Sequence, residues 1–462
     1  MPSAPHVIQR NHLRLRLAPD ADGRAVHQRA AAALQSRPLL EALDAALSAA
    51  AGQPDDWLTL DRLELDLGRL DSTQLERQLL DRLPALLRRQ VAEARAAVGS
   101  GAASAEAAEL RTAAGTAWAA WQYFLLFGRL PAHWPAPTSS AAWETELRAL
   151  LANATEAQLA ELRAALAPLP PRQRLIRQFS VELVAAVLGA LDATARPHLP
   201  ALAKALAPLL RPRKGVSGAG AELLLLAVMG RVGAGQSPPW PTLLSTLGGQ
   251  PGAALTTPQA LAKAALAVVE AAASALPDSA TAPEPVADTA SAAGVEYVEN
   301  AGVVLLHPFL ATCFAACGWL VGDDFVDEPA RAQAVLLVHF LATGASQAPE
   351  YALRLPKLLC AVPAGAPLHQ RRRLSRAARA EGRALLAAAI AHWSALKNTS
   401  SDGLREAFLQ REGKLERASD GHPNLTVEQR AQDVLLDRLP YGWGLGPVQL
   451  PWMRTRLTIN WA

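Results

Sequence analysis

Trp118-Ala-Ala-Trp-Gln-Tyr-Phe-Leu-Leu-Phe-Gly-Arg-Leu-Pro131 is the stretch whose reading decides the fold class. Trp118, Trp121, Phe124 and Leu125 fall three and four residues apart, the period of an α-helix with one apolar side. Gly128 closes the run and Pro131 lies just beyond, a common way for a helix to stop. His339-Phe-Leu-Ala-Thr-Gly344 repeats the pattern of Tyr123-Phe-Leu-Leu-Phe-Gly128, which suggests two related helical halves.

Composition extends that reading to the whole chain. Of 462 residues, 50% are hydrophobic but only 5% are aromatic, so Ala and Leu dominate, both strong helix formers. This argues against an all-β or a disordered chain. The 45 basic and 42 acidic residues leave a formal charge of +3, close to balance, whereas a chain built mainly to hold nucleic acid is far more lopsided. Three cysteines cannot make a disulfide framework and suit a reducing compartment. Met1 to His12 lacks the apolar run of a secretory signal. Leu223 to Met229 is far too short to cross a bilayer, and Glu270 interrupts Ala264 to Leu276. A cytoplasmic protein without membrane insertion is expected.

Five modules are expected: a β-α-β-α module over 1–100, a helical domain over 101–232, a linker over 233–294, a helical domain over 295–430 and a β-strand module over 431–462. The fold class is mainly α with small β elements at both ends (α+β), a helical-repeat-like bundle flanking a Gly/Pro/Ala-rich linker. In the first module Leu13, Leu15 and Leu17, and again Leu63, Leu65 and Leu67, alternate with polar residues as half-buried strands do. A β-α-β order favours a parallel pair, with Arg14 and Arg16 facing Glu64 and Asp66. Thr73 and Glu76 form a T-x-x-E capping box, and Pro84 predicts a kink in the helix that follows. Thr155 and Gln158 form a second box; Pro168, Pro170 and Pro171 end its helix, and Leu175 to Leu191 reads as one further helix. Within the linker only Pro258 to Leu276 looks helical. Beyond it, helices are expected around Val303 to Leu320, Pro329 to Ala342, Ala352 to Cys360, Leu374 to Leu396 and Leu404 to Arg411. Leu457, Ile459 and Trp461 then alternate with polar residues as a last strand.

The residues offer little chemistry. Cys313 and Cys317 share a helix face, with Cys360 and His307 as the only further metal ligands in view, and buried free cysteines explain them better. The glycine runs Gly215, Gly218, Gly220 and Gly442, Gly444, Gly446 lack the strand-loop-helix context of a nucleotide site and read as turns. Asn398 to Asp402 precedes a helix and reads as its cap, not as a serine nucleophile. No catalytic, cofactor-binding or metal residue is assigned. Arg371, Arg372 and Arg373, with Arg376 and Arg379, make the densest basic run, a solvated face or one that meets an acidic protein partner. Leu457, Ile459 and Trp461 need a hydrophobic face to cover, so that strand is expected to pair within the chain or with a partner's sheet edge. The candidate partner contacts are therefore Leu457, Ile459, Trp461, Arg371, Arg372 and Arg373.

Two N-terminal strings, His6-Val-Ile-Gln-Arg-Asn-His-Leu-Arg-Leu15 and Leu60-Asp-Arg-Leu-Glu-Leu-Asp-Leu-Gly68, resemble the opening of contractile injection system tape measure proteins, components of phage-tail-like particles. The C-terminal half resembles that family more strongly. Its strings are Asn300-Ala-Gly-Val-Val-Leu-Leu-His-Pro-Phe309, Pro349-Glu-Tyr351, Leu355-Pro-Lys-Leu-Leu-Cys360 and His392-Trp-Ser-Ala-Leu-Lys-Asn-Thr-Ser400. They continue through Gly403-Leu-Arg-Glu-Ala-Phe-Leu-Gln-Arg-Glu-Gly413, Leu435-Leu-Asp-Arg-Leu-Pro440 and Leu450-Pro-Trp-Met453. The resemblance implies a structural protein in the tube lumen, or acting on it, that helps set tail-tube length. It implies no cofactor, no small-molecule substrate and no catalytic residue, with tail-tube, baseplate and terminator proteins as partners. The alternatives are a baseplate-associated or tube-terminating adaptor that does not measure length and, on the arginine run alone, a nucleic-acid-associated protein. A ruler works by contour: 462 helical residues would span roughly 690 Å, and the stretch from Ala105 to Gly294 nearer ~290 Å.

Overall fold

The computed structural model describes residues 6, 8, 14–16, 23–34, 36–50, 56–60, 63–71, 73–99, 108–131, 134, 136–210, 219–241, 295–369, 373–418, 421–440 and 442–461. The chain is mainly α with small β elements, and it divides into two compact units, Met1–Trp121 with Pro131–Pro135, and Gln122–Leu130 with Ala136–Ala462. The linker expected over 233–294 falls largely on 242–294, outside the described residues.

In the smaller unit, helices α1 (Gly23–Leu34), α2 (Arg37–Ala50) and α3 (Leu75–Gly99) accompany strands β1 (Asp56–Leu60) and β2 (Ala108–Thr112), which leads into α4 (Ala113–Phe127). Val26, Ala30 and Ala33 of α1 bury against Leu75 and Leu79 of α3, while Ala50 of α2 meets Leu87 and Val91. Pro84 sits inside α3, which runs through it as one element. The strand pairing differs from expectation. β1 pairs antiparallel with β2, Asp56 opposite Thr112 and Leu60 opposite Ala108. Leu13 and Leu17 of the expected first strand lie outside the described residues, among which Leu63 to Leu67 make no ladder. Their leucines do face inward: Leu63 and Leu65 lie on the α2–α3 core, Leu67 and Leu15 on the α1–α3 core. Arg82 Nη1 donates to the carbonyls of Leu67 and Arg69 at 3.2 and 2.9 Å, supplying bonds a neighbouring strand would otherwise make. Alternation therefore identified the buried face but not the partner. The Thr73 hydroxyl is engaged elsewhere than in the expected box: it and the Thr73 amide both donate to Asp71 Oδ1, at 2.7 and 2.8 Å, in a turn ahead of α3.

The larger unit begins with the end of α4. Gly128 takes φ +73° and its amide donates to Phe124 O at 2.8 Å, the stop that its position implied. Helices α5 (Ser140–Ala152), α6 (Glu156–Ala165), α7 (Leu169–Gln178), α8 (Val181–Leu191), α9 (Leu199–Leu210) and α10 (Ala219–Gly233) follow. The Thr155–Gln158 box is present. α6 ends at Ala165, ahead of Pro168, and Pro170 and Pro171 occupy the first turn of α7, where a missing N–H costs nothing. The single helix expected over Leu175 to Leu191 is broken at Phe179, because Ser180 Oγ accepts from the Leu183 amide and starts α8. Val184, Val187 and Leu188 of α8 are fully buried.

After residue 294 a four-stranded sheet forms in the order β3 (Val295–Val298), β6 (Gly413–Arg417), β7 (Pro423–Val427), β8 (Thr458–Trp461). All pairs are antiparallel except β7 with β8, where Leu425 lies opposite Ile459. Between β3 and β6 run a buried 3-10 turn (Ala301–Leu306), α11 (His307–Ala316) and a short hairpin, β4 (Leu320–Val321) with β5 (Asp324–Phe325). Next come α12 (Glu328–Thr343), α13 (Arg354–Leu359), α14 (Arg376–His392) and α15 (Ser401–Leu404), the last continuing into a π-helical turn, Arg405–Leu409. One continuous apolar core joins Val298 to Ile459, so residues expected in the 295–430 and 431–462 modules share a sheet and a core. Gly302 is required there: a Cβ would stand 1.7 Å from Phe408 O.

Candidate functional site

Helix α7, with Arg172, Arg174 and Arg177 among prolines and glutamines, has the sequence of a solvated basic helix. Its fold position is the opposite: Arg174 is 0% exposed. Arg174, Arg177 and Gln178 share a face at helical spacing and point at the segment from Glu350 to His369. Glu350 opens the 3-10 turn Glu350–Leu353 and Lys357 follows on α13, so both charges project from one short helical stretch.

The centre is a three-charge cluster. Arg174 grips the Glu350 carboxylate with both ends of its fork, Nε to Oε2 at 3.1 Å and Nη2 to Oε1 at 3.3 Å. Lys357 Nζ donates to the same Oε1 at 2.6 Å and to the carbonyls of Ala364 and Ala366 at 3.1 and 2.9 Å, which uses all three of its hydrogens. Arg174 also donates to Gly365 O at 2.7 Å and to Leu125 O. Burial pushes the Lys357 ammonium below its ordinary pKa, although the Glu350 charge and hydrogen bond pull the other way. Two cations against one anion leave the buried cluster with a formal excess of one positive charge.

A second ring surrounds it. Arg177 bonds Glu222 of α10 at 2.7 Å and Pro367 O at 2.8 Å; His369 Nε2 lies 3.2 Å from the other Glu222 oxygen. Burial alone would push the Glu222 carboxyl up, but the His369 hydrogen bond and the Arg177 charge outweigh it and hold it below the ordinary 4.5. Gln178 spans the same join, donating to Leu368 O and accepting from the Glu350 amide at 3.1 Å. Arg354 pairs with Glu296 of β3. Gly128 closes the cluster from above, where a Cβ would stand 2.5 Å from Glu350 Oε1. Alongside lies a cleft of about 140 Å³, walled by Leu126 to Arg129 on one side and by Glu296, Arg354, Lys357 and Gly365 on the other.

Chemically, this arrangement connects. Every hydrogen of the Lys357 ammonium is taken by an acceptor, and among the described residues no group of three or more His, Cys, Asp or Glu is placed to hold a metal ion.

The residues singled out in sequence lie elsewhere. Arg371 and Arg372 fall outside the described residues; Arg373 is exposed, its carbonyl accepting from Gln333 Nε2 at 3.2 Å. Leu457 and Ile459 are buried in the chain's own core, and β8 pairs with β7 at the end of the sheet. Trp461 Nε1 donates to Asp433 Oδ2 at 3.0 Å, while Asp433 Oδ1 holds the fully buried Arg411 at 2.6 Å. Cys313 and Cys317 are free thiols that share a hydrogen bond, which raises the Cys313 thiol and lowers Cys317. His307 Nδ1 sits 3.0 Å from Val304 O, and Ser400 Oγ caps α15 by accepting from the Gly403 amide. Arg174, Glu350 and Lys357 were not among the candidates. Their signal is long-range: Arg174 meets Glu350 across 176 residues.

A family model described as contractile injection system tape measure protein matches residues 5–461. No curated protein and no solved structure matches the chain.

Proposed function

The chain belongs to the family of contractile injection system tape measure proteins, and from that premise we propose that it acts in tail assembly as a folded body and not as an unwound ruler. It is a tape measure-type structural protein of a phage-tail-like particle. In our reading it is made in the cytoplasm, performs no bond-making step, and meets tail-tube, baseplate and terminator proteins. Arg373 on the exposed lead into α14 and the outer edge of β8 are the surfaces we assign to those partners.

One observation carries the reading. The strings that resemble the family build a closed core, with Val303, Leu355, Trp393, Phe408, Leu436 and Trp452 all buried in it. Among the described residues the longest helix, α3, has 25 residues, about 37 Å. A contour ruler would have to dismantle that core.

The test is particle length by electron microscopy. Removing residues 251–290 from the chain would shorten a contour ruler by about 60 Å if helical and about 140 Å if extended. A folded body predicts tubes of unchanged length from this deletion, and absent or aberrant tubes when the whole protein is missing. Shortening in proportion to the deletion would refute it.

A further inference from the structure

We infer that the charged join between α7 and the segment 350–369 is a releasable clasp, at which the helical part of the larger unit parts from its C-terminal part while each keeps its own core. The apolar core that runs from Val298 to Ile459 contains no residue of α5 to α10. In the helical part Leu147, Leu162, Leu175, Val184, Leu188, Leu224 and Val228 are buried, with α5, α6, α7 and α10 packed on α8. The two are joined in sequence through residues 242–294.

Most of what crosses the join is polar, beside one apolar hollow that Pro349 and Tyr351 line together with Phe124, Trp143 and Phe179. From the helical side come Arg174, Arg177, Gln178 and Glu222; from the other, Glu350, His369 and the carbonyls of Gly365, Pro367 and Leu368. The aromatic contribution is Tyr351, whose ring lies 6.1 Å from those of Phe124 and Trp143. An apolar join holds because parting it exposes hydrocarbon to water. A charged one behaves differently: its groups suffer desolvation while closed and regain hydration when open, so closure leaves little net stabilisation. The cleft of about 140 Å³ along the join points the same way, since there the two sides face solvent and not each other. Joins of this kind within a chain commonly permit relative motion of the parts.

One backbone group reports the clasp directly. The Glu350 amide donates to Gln178 Oε1 across the join, so it is shielded only while the clasp is shut. Hydrogen exchange on the purified full chain at neutral pH, read at residue resolution, tests the inference. The Glu350 amide should exchange at least tenfold faster than core amides of α8, such as Leu188, and of β7, such as Leu425. Equal rates at all three would mean that the join opens only with global unfolding, and the inference would fall. Glu350→Gln, which keeps the amide and removes the anion, should raise exchange at residue 350 a further tenfold or more and leave the α8 core, read at Leu188, unchanged. A matching rise at Leu188 would equally overturn it.

Discussion

Replacing Glu350 by Gln keeps the shape of the side chain and removes the one anion between two buried cations. In the native cluster Lys357 Nζ stands 2.6 Å from Glu350 Oε1 and Arg174 Nε stands 3.1 Å from Oε2, with all three residues at most 1% exposed. Each attraction is worth on the order of 4 kcal/mol at the effective dielectric of a partly relaxed interior. The variant loses both and leaves Arg174 and Lys357 facing each other. Breaking a buried pair costs about 3–5 kcal/mol. The lower end is expected here, because Arg174 regains water when the join parts. Lys357→Met is the contrasting change: Glu350 keeps its fork from Arg174, and the loss is of the donors to Glu350 Oε1 and to the Ala364 and Ala366 carbonyls, about 1–3 kcal/mol. Combining the two removes a cation along with the anion, so the double variant should lose less than the sum of the singles. Urea unfolding followed by tryptophan fluorescence reads all three. A Lys357→Met chain as unstable as Glu350→Gln, or strictly additive losses, would show that charge balance does not govern this site.

Two further outcomes follow from the geometry. Gly302→Ala places a methyl 1.7 Å from the Phe408 carbonyl oxygen, where backbone and not a flexible side chain must yield; near-UV circular dichroism of this variant should lose the signal of the C-terminal aromatic core, and an intact spectrum would contradict the close approach. Glu222 has its carboxyl held below 4.5 in the folded chain, so its contribution is complete above 4.5 and is lost as pH falls through the lower folded value. The urea midpoint of the native chain should therefore drop more steeply below pH 4.5 than that of Glu222→Gln, and parallel curves would refute the assignment.

Much of the fold was legible because it is written locally. Helix period, the Gly128 and Gly344 stops and the Thr155 box each depend on residues within one or two turns, and each stands where the sequence implied. Strand partners are not local. Leu63, Leu65 and Leu67 have the alternation of a strand, yet their carbonyl neighbourhood is served by Arg82 of α3, while Asp56–Leu60 finds its ladder at Ala108–Thr112. Proline shows a related limit. At Pro170 and Pro171 the residue type shows only that a helix cannot run through, and which side it continues on depends on what α7 packs against.

The charged site illustrates the same limit in a stronger form. Arg174 has no local sign of burial, since its neighbours Arg172 and Arg177 suit a wet surface and its counter-ion comes from Glu350. Glu350 and Lys357, by contrast, sit inside two of the strings that carry the family resemblance, Pro349-Glu-Tyr351 and Leu355-Pro-Lys-Leu-Leu-Cys360. Those strings therefore specify more than a core. They place an acid and a lysine that satisfy each other within the C-terminal part and leave the carboxylate's remaining oxygen for an arginine arriving from outside it. A tape measure-type protein built this way has a C-terminal part whose own charges are largely matched before the helical part docks. Closure of the join then adds orientation more than stability.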